Sequence, residues 1–236
     1  MMRPAVVLFD LDRTLWDFEG NADKTFADLF TQYHLAERCH TSLEDFHTFY
    51  RQVNATLWEA YRNGTVSKEQ LALQRFAIPL AHFGVEPCAQ LAATLSDYYV
   101  HQGPKQTGLM PGARELLCYL KARHYELAII TNGFSEAQRP KMRTSGIDTF
   151  FSACFLSEEV GYMKPDIRFF QAVLSRLGRQ PSECMVVGDD LRVDIEGAQR
   201  AGIPQIFYCP SSPTPPCTSI HPTYTVQHLL DIKNIL

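Results

Sequence analysis

The first apolar run of the chain, which ends in acidic residues, restricts the possible folds more than any other stretch. Five consecutive apolar residues, Ala5 to Phe9, come directly before Asp10. A short run rich in Val, Leu and Phe is typical of a strand buried on both faces, as in the middle of a parallel sheet. Asp10 is then predicted to lie at the carboxyl end of this strand, where open α/β sheets bind their ligands.

A second acid, Asp12, lies two residues beyond Asp10. Side chains of an extended chain repeat with a period of two, so the two carboxylates can point to the same side. Two carboxylates at a dry strand end repel each other unless a cation or a shared proton lies between them. The pair therefore predicts a metal site, a shared proton or both, although a turn with two solvated acids explains this stretch equally well.

The composition narrows the class of protein. The chain has 236 residues, of which 45% are hydrophobic, and this is enough to bury a sizeable core. A net charge of -4 and a pI near 6.1 provide no basic surface for nucleic acid, so we expect no such partner. No stretch approaches the roughly 20 apolar residues of a membrane span, and the N-terminal run is too short and wrongly flanked for a signal peptide.

The seven cysteines are an odd number and show no C-x-x-C spacing. Most of them lie inside apolar runs, where a reduced thiol behaves as a small hydrophobic side chain. The cysteines therefore predict a cytoplasmic protein without a zinc site.

Helical periodicity replaces the strand pattern between the first motif and about residue 102. Apolar residues recur at spacings of three and four in four segments, 21–37, 43–62, 68–83 and 88–99. Four consecutive helices do not belong inside a βαβ sheet. They predict an inserted helical domain at residues 18–103, which divides a core made of residues 1–17 and 104–236.

Strands and helices alternate after residue 111, which predicts a doubly wound α/β core with a parallel sheet. The predicted strands are 126–130, 153–156, 185–187 and 205–208, and the predicted helices are 111–123, 135–144, 164–177, 191–201 and 226–236. A segment dense in Pro, Ser and Thr, residues 210–222, is predicted to be a surface loop without an assigned role.

Polar side chains follow three of the predicted strands, and others lie close by. They are Asp10, Asp12, Thr131, Asn132, Lys164, Asp189 and Asp194. Because parallel strands end at the same edge of a sheet, we expect these groups to converge although they are far apart in the sequence. Carboxylate oxygens without His or Cys nearby suit Mg²⁺.

Each of these pieces also has an ordinary structural explanation. Thr131-Asn132-Gly133 alone is typical of a turn, and Lys164-Pro165 is typical of a solvated helix start. Asp189-Asp190 is consistent with a helix N-cap. The sequence favours a catalytic site only when the pieces are taken together and in order.

Four motifs occur in a fixed order: Asp10-x-Asp12-x-Thr14, Thr131-Asn132-Gly133, Lys164-Pro165 and Gly188-Asp189-x-x-x-x-Asp194. As a set they resemble the motifs of the haloacid dehalogenase superfamily of phosphatases, and the resemblance covers the whole chain. It departs from the usual pattern at Arg13, where many members carry Gly. The resemblance implies hydrolysis of a small phosphomonoester, with Mg²⁺ as cofactor and an aspartyl phosphate as intermediate.

The resemblance also implies how the chemistry is divided among the side chains. Asp10 would attack phosphorus, while Asp12 would protonate the leaving oxygen and later activate water. Thr131 and the backbone of Asn132 would hold phosphate oxygens, and Lys164 would neutralise charge on the nucleophile and the phosphate.

The implied metal ligands are Asp10, the backbone carbonyl of Asp12 and Asp189, with Asp194 outside the inner ligands. Asp190 is left out, because relatives more often have Ser or Thr there and a third inner carboxylate would overcharge Mg²⁺. Dehalogenase activity is not expected, since the dehalogenases of the superfamily lack aspartate at the position of Asp12.

The predicted helical insert holds a more particular resemblance. Leu57-Trp58-Glu59-Ala60-Tyr61-Arg62-Asn63-Gly64 and Arg75-Phe76, together with residues around the motifs, are similar to the house-cleaning pyrimidine 5′-nucleotidases. This implies hydrolysis of nucleoside monophosphates such as dUMP, UMP and dTMP. Trp58, Tyr61 and Arg75 are candidates for substrate specificity, although aromatic residues at helical spacing also suit the core of the insert.

Two other functions stay open. One is a phosphatase for phosphoglycolate or a sugar phosphate. The other is a regulatory protein that binds phosphate or Mg²⁺ without turnover. The second is disfavoured, because a protein without turnover has no need of an acid/base residue at Asp12.

Overall fold

The structure is a computed structural model that describes residues 4–86, 88–210 and 219–236. These residues divide into two compact units. The core unit contains the described residues up to Phe18 together with Thr107–Leu236, and the helical unit contains Glu19–Gln106. Most of the predicted loop at residues 210–222 lies outside the described part of the chain.

The core unit is built on a sheet of parallel strands, which confirms the predicted α/β fold class. The strands are Val6–Phe9 (β1), Glu126–Thr131 (β2), Ala153–Leu156 (β3), Cys184–Gly188 (β4), Gln205–Tyr208 (β5) and Tyr224–Val226 (β6). They lie in the order β3-β2-β1-β4-β5-β6, so the sheet grows first on one side of β1 and then on the other. Ligands bind at such a reversal of strand order, which here is the carboxyl end of β1.

The apolar side chains of β1 explain its central position. Val7 and Phe9 pack on one face of the sheet, whereas Val6 and Leu8 pack on the other, and all four are fully buried. Because strand side chains alternate between the two faces, a strand that is apolar at every position needs cover on both.

The described residues of the helical segment form five helices. They are Phe18–Gln32 (α1), Leu35–Cys39 (α2), Leu43–Arg62 (α3), Lys68–His82 (α4) and Ala89–Gln102 (α5). Their apolar side chains form one cluster that includes Phe26, Phe46 and Phe76. The continuous helix predicted at 21–37 is wrong, because His34 adopts a left-handed φ of 52° between α1 and α2.

The helices of the core unit connect its strands. They are Ala113–Ala122 (α6), Ser135–Thr144 (α7), Ser157–Val160 (α8), Ile167–Leu177 (α9) and Gly197–Arg200 (α10). A π-helix at Leu191–Glu196 precedes α10, so the helix predicted at 191–201 begins with wider turns. Within the described ranges, no helix is both long and apolar enough to cross a membrane.

The end of the chain differs from the prediction of a terminal helix at 226–236. Tyr224–Val226 forms the last strand, and Leu229–Asn234 forms a 3-10 helix. Leu229 and Ile232, which are three residues apart in this helix, are buried. This interval suits a 3-10 helix, in which residues i and i+3 line one face.

The cysteines of the described ranges are free thiols. Burial raises the pKa of Cys154 and of Cys184 to about 11. Both thiols therefore stay protonated near neutral pH, and they behave as packing side chains rather than nucleophiles.

Candidate active site

Three carboxylates meet at the carboxyl edge of the sheet. Asp10 follows β1, Asp189 follows β4, and Asp194 lies in the π-helix behind them. One oxygen from each of the three lies within 4.8 Å of the others. We call Asp10, Asp189 and Asp194 the three-acid group, and its existence shows that these strand ends converge as predicted.

The Lys164 ammonium is inserted between two of these acids. Its Nζ donates to Oδ1 of Asp10 at 2.8 Å, to Oδ1 of Asp194 at 2.6 Å and to the carbonyl oxygen of Ile130 at 3.0 Å. Lys164 is only 1% exposed. A solvated helix start is therefore wrong as an explanation of this lysine, whose charge is compensated entirely inside the protein.

Burial controls the ionisation of the three-acid group. It raises the pKa of Asp189 to about 8, with the Asp10 carboxylate adding to the effect. It raises the pKa of Asp194 to about 7 and also raises the pKa of Asp10, although the Lys164 ammonium opposes both shifts. Burial lowers the pKa of Lys164, but the Asp10 and Asp194 carboxylates outweigh it, so that the net shift is upward.

The donor set of the three-acid group fits a hard divalent cation. All of its donors are carboxylate oxygens, which suit Mg²⁺. Among the described residues, the Lys164 ammonium contacts Asp10 and Asp194, and Arg13 acts on Asp189 from a longer distance, so negative charge exceeds positive charge when all three acids are ionised. A divalent cation would relieve this repulsion.

Asp190 has a different role from its neighbour. Its Oδ1 accepts hydrogen bonds from the backbone N–H groups of Arg192 at 2.9 Å and Val193 at 2.8 Å. This is the N-cap of the π-helix. The N-cap explanation therefore holds for Asp190, which does not belong to the three-acid group, whereas Asp189 does.

Thr14 completes the environment of the strand ends. It is fully buried, and its Oγ1 lies 3.2 Å from Oδ2 of Asp10 and 3.3 Å from Oδ1 of Asp189. Arg13, beside it, has a φ of 66°, in the left-handed region that favours glycine. Gly would adopt this backbone conformation without strain.

The end of β2 brings Thr131 and Asn132 beside the lysine. The Asn132 side chain donates from Nδ2 to the carbonyl oxygen of Lys164 at 2.8 Å and accepts from its backbone N–H at 2.9 Å. The family resemblance implied a role only for the backbone of Asn132. The structure shows that its side chain fastens the Lys164 segment to the end of β2.

The Asp12 carboxylate is turned toward helix α7. Its Oδ1 accepts from Nζ of Lys141 at 2.7 Å, and its Oδ2 accepts from Nε2 of Gln138 at 2.8 Å. Neither partner was identified from the sequence. The sequence does place Gln138 and Lys141 three residues apart on the helix predicted directly after the Thr131 motif. Residues at this spacing lie on one face of a helix, and this pattern could have indicated that they act together.

Two glycines leave room for these contacts. A Cβ on Gly188 would lie 2.5 Å from Cγ of Asp194, and a Cβ on Gly133 would lie 1.8 Å from Nε2 of Gln138. Any larger residue at either position would displace a polar side chain of the site.

The specificity residues predicted in the helical unit lie on α3 and α4. The rings of Trp58 and Tyr61 form an edge-to-face pair with centroids 5.8 Å apart, and both side chains are partly exposed. Arg75 is 7% exposed, and its guanidinium lies 4.9 Å from the ring centroid of Tyr99. Its buried Nε has no hydrogen-bond partner among the described residues.

Comparison with known proteins agrees with the geometry of the strand ends. The sequence profile of a hydrolase family, the haloacid dehalogenase-like hydrolases, matches residues 4–202. Pyrimidine 5′-nucleotidase PynA of Streptococcus pneumoniae is 33% identical over 98% of this chain and 96% of its own. Pyrimidine 5′-nucleotidase YjjG of Escherichia coli is 30% identical over 98% of this chain and 96% of its own.

A solved structure resembles the whole chain. It is that of the putative hydrolase YfnB of Bacillus subtilis bound to magnesium, which superimposes with a TM-score of 0.87. The two chains are 29% identical, and the match covers 99% of each.

Proposed function

This chain belongs to the haloacid dehalogenase-like hydrolases and is a phosphoric monoester hydrolase, and we propose that its substrates are pyrimidine nucleoside 5′-monophosphates. The observation that carries the chemistry is the contact of the buried Lys164 ammonium with Asp10 at the carboxyl end of β1. A lysine placed there holds a carboxylate ready for attack and meets the negative charge of the phosphate.

In the first step, a carboxylate oxygen of Asp10 attacks phosphorus while the bond from phosphorus to the nucleoside oxygen breaks. Asp12 gives its proton to the leaving oxygen, so that the nucleoside departs as a neutral alcohol. The product of this step is an aspartyl phosphate on Asp10.

In the second step, water attacks the phosphorus of the aspartyl phosphate. The Asp12 carboxylate, ionised by the first step, takes a proton from that water. The bond to Asp10 then breaks, which releases inorganic phosphate and restores both aspartates to their starting state.

The surrounding groups stabilise charge on the transferring phosphoryl group. Thr131 and the backbone N–H of Asn132 hold its oxygens, and Lys164 neutralises part of its charge. Asp10, the backbone carbonyl of Asp12 and Asp189 would hold Mg²⁺, with Asp194 occupied by Lys164. Bound Mg²⁺ would supply further neutralisation of the phosphoryl oxygens.

The nucleotide preference rests on the relatives and on the helical unit. Two full-length relatives at 30% and 33% identity are pyrimidine 5′-nucleotidases. We assign residues 18–103 as the cap, the domain that meets the base and sugar. Trp58 and Tyr61 offer aromatic faces for a base, and the Nε of Arg75, which has no hydrogen-bond partner among the described residues, is a candidate donor for a carbonyl oxygen of a pyrimidine ring.

A substrate panel tests this proposal. The rate of phosphate release is measured with MgCl₂ for UMP, dUMP, dTMP, AMP and GMP, and for phosphoglycolate and a hexose phosphate. We expect the highest kcat/KM with pyrimidine nucleotides, and turnover that EDTA or Asp10→Asn removes. If sugar phosphates exceed every nucleotide, the nucleotide assignment is wrong while the phosphatase chemistry stands.

A further inference from the structure

We propose that Lys141 and Gln138 are positioning residues, which hold the Asp12 carboxylate in place for its acid and base steps. This inference rests on the proposed function, since it gives the two side chains a role only if Asp12 transfers protons.

The two side chains bind both oxygens of a single carboxylate. Lys141 holds Oδ1 and Gln138 holds Oδ2, at 2.7 and 2.8 Å. Both donors come from one helix, α7, and Lys141 and Gln138 are 7% and 1% exposed. A carboxylate that is held at both oxygens by one element cannot rotate about its own axis without losing a contact.

The Lys141 ammonium is itself fixed by aromatic rings. Its Nζ lies 4.4 Å from the ring centroid of Trp16 and 5.5 Å from that of Phe18. Both rings belong to the segment that carries Asp12, only a few residues further along. The Lys141 ammonium therefore contacts two ring faces and one carboxylate in place of water. Its ion pair with Asp12 differs in this respect from an ion pair on the surface.

Gln138 connects Asp12 to the phosphate side of the site. The same Nε2 donates to Oδ2 of Asp12 and, at 2.9 Å, to Oγ1 of Thr131. An ionised carboxylate accepts but does not donate, so the amide nitrogen faces Asp12 in that form. Gln138 thereby sets the separation between the proposed proton donor and a hydroxyl proposed to hold a phosphate oxygen.

Position matters for Asp12 because it acts on two different oxygens. It must reach the leaving oxygen in the first step and the attacking water in the second. A displacement of about 1 Å can cost roughly a hundredfold in rate.

A double-mutant cycle tests whether Lys141 acts through Asp12. kcat/KM is measured for wild type, Lys141→Met, Asp12→Ala and the double variant, with p-nitrophenyl phosphate and with the best nucleotide of the panel. We expect Lys141→Met to lower kcat/KM for the nucleotide by roughly 10- to 100-fold. This is less than the whole rate enhancement of about 10²- to 10⁴-fold that a general acid or base typically contributes. The loss with p-nitrophenyl phosphate should be smaller, because p-nitrophenolate leaves without a proton.

The double variant gives the decisive comparison. In the Asp12→Ala background, Lys141→Met should change kcat/KM by no more than about twofold, since the residue through which it acts is gone. If Lys141→Met lowers activity by the same factor in both backgrounds, or lowers both substrates equally, the proposed role is wrong.

Three further variants separate positioning from folding. Lys141→Arg should retain more activity than Lys141→Met. Gln138→Leu should also lose more activity with the nucleotide than with p-nitrophenyl phosphate, and this variant tests the inference even if Lys141→Met folds poorly. Arg143→Met, exposed on the same helix, should match wild type. Equal losses with both substrates for Gln138→Leu would also overturn the inference, whereas full activity of Asp12→Ala would instead refute the proposed function.

Discussion

The Lys164 ammonium lies 2.6 Å from Oδ1 of Asp194, and both side chains are almost fully buried. Asp194 therefore holds the Lys164 ammonium in one orientation, and Lys164 in turn holds the Asp10 carboxylate. A buried ion pair is weak evidence for stability, because desolvation opposes the attraction. The arrangement is better understood as a support for the orientation of the lysine at the nucleophile.

Removal of the lysine charge should affect both turnover and stability. We expect Lys164→Met to lose turnover and to lower the free energy of unfolding by about 3–5 kcal/mol, because it leaves buried carboxylates without a cation. Urea denaturation without metal measures the loss. The control is Lys233→Met, which breaks a more exposed pair with Glu115 and should cost at most about 1 kcal/mol. Equal losses in the two variants would contradict this interpretation of Lys164.

The acids should make the metal-free protein less stable as pH rises. The folded-state pKa values of Asp189 and Asp194, about 8 and about 7, exceed the value of 3.8 for an unperturbed aspartate. The folded state then binds protons more tightly than the unfolded state, so its free energy of unfolding falls as pH increases from about 4 to about 8.

Mg²⁺ should oppose this loss, because it competes with protons for the same oxygens. The increase in Tm that MgCl₂ produces relative to EDTA should therefore grow between about pH 5.5 and about pH 8.5. Thermal unfolding at several pH values measures it. A metal-induced shift that does not depend on pH would mean that Asp10 and Asp189 do not hold the metal.

Gly188 should tolerate no side chain. The Cβ of Gly188→Ala would lie 2.5 Å from Cγ of Asp194 and would force that carboxylate away from Lys164. We expect at least a tenfold loss of kcat and a loss of stability of about 1–3 kcal/mol from overpacking. Gly103→Ala is the matched control, since nothing lies closer than 3.9 Å to the new Cβ. Wild-type activity of Gly188→Ala would show that the position of Asp194 is unimportant.

Arg13 should show the cost of its left-handed backbone. Arg13→Gly and Arg13→Ala both remove the guanidinium, which lies 4.3 Å from the ring centroid of Phe18, so this contact cancels between them. The left-handed conformation costs an L-residue about 1–2 kcal/mol, and the flexibility of Gly offsets about 0.5–1 kcal/mol of that. The free energy of unfolding of Arg13→Gly should therefore exceed that of Arg13→Ala by roughly 0.5–1 kcal/mol, as measured by urea denaturation. A more stable Ala variant would contradict the argument.

The residues of the proposed cap should affect nucleotides more than small esters. Trp58→Ala, Tyr61→Ala and Arg75→Met should alter the ratio of kcat/KM for dUMP to that for AMP, with little change for p-nitrophenyl phosphate. Loss of one stacking contact should cost about 1–3 kcal/mol by analogy with base stacking on aromatic side chains. Arg62→Ala, exposed at the end of α3, is the control. If kcat/KM falls equally for nucleotides and for p-nitrophenyl phosphate, these residues support the fold of the helical unit and do not contact the base.

The polar groups at the strand ends were predictable because they depend on local patterns. The apolar run of β1 marks a central strand, and a parallel sheet must bring Asp10, Thr131 and Asp189 to one edge. Neither step requires knowledge of how helices pack. The family motifs then identified Lys164 as a member of the same site.

The contacts between elements were decided only by the tertiary structure. Periodicity indicates which face of α7 is buried, but it does not say that Lys141 and Gln138 on that face meet Asp12, more than a hundred residues earlier in the chain. That depends on the rotation and depth at which the helix packs on the sheet. The same holds for the bond between the Asn132 side chain and the backbone of Lys164.

The backbone of single residues was likewise outside the reach of sequence patterns. His34 interrupts a helix whose apolar spacing is continuous, and Arg13 adopts a conformation that its side chain disfavours. A local propensity of about 1 kcal/mol is easily overcome by packing of the surrounding apolar side chains. The sequence thus determined the layers of this protein and the edge that carries its acids, whereas tertiary packing decided which side chains orient those acids.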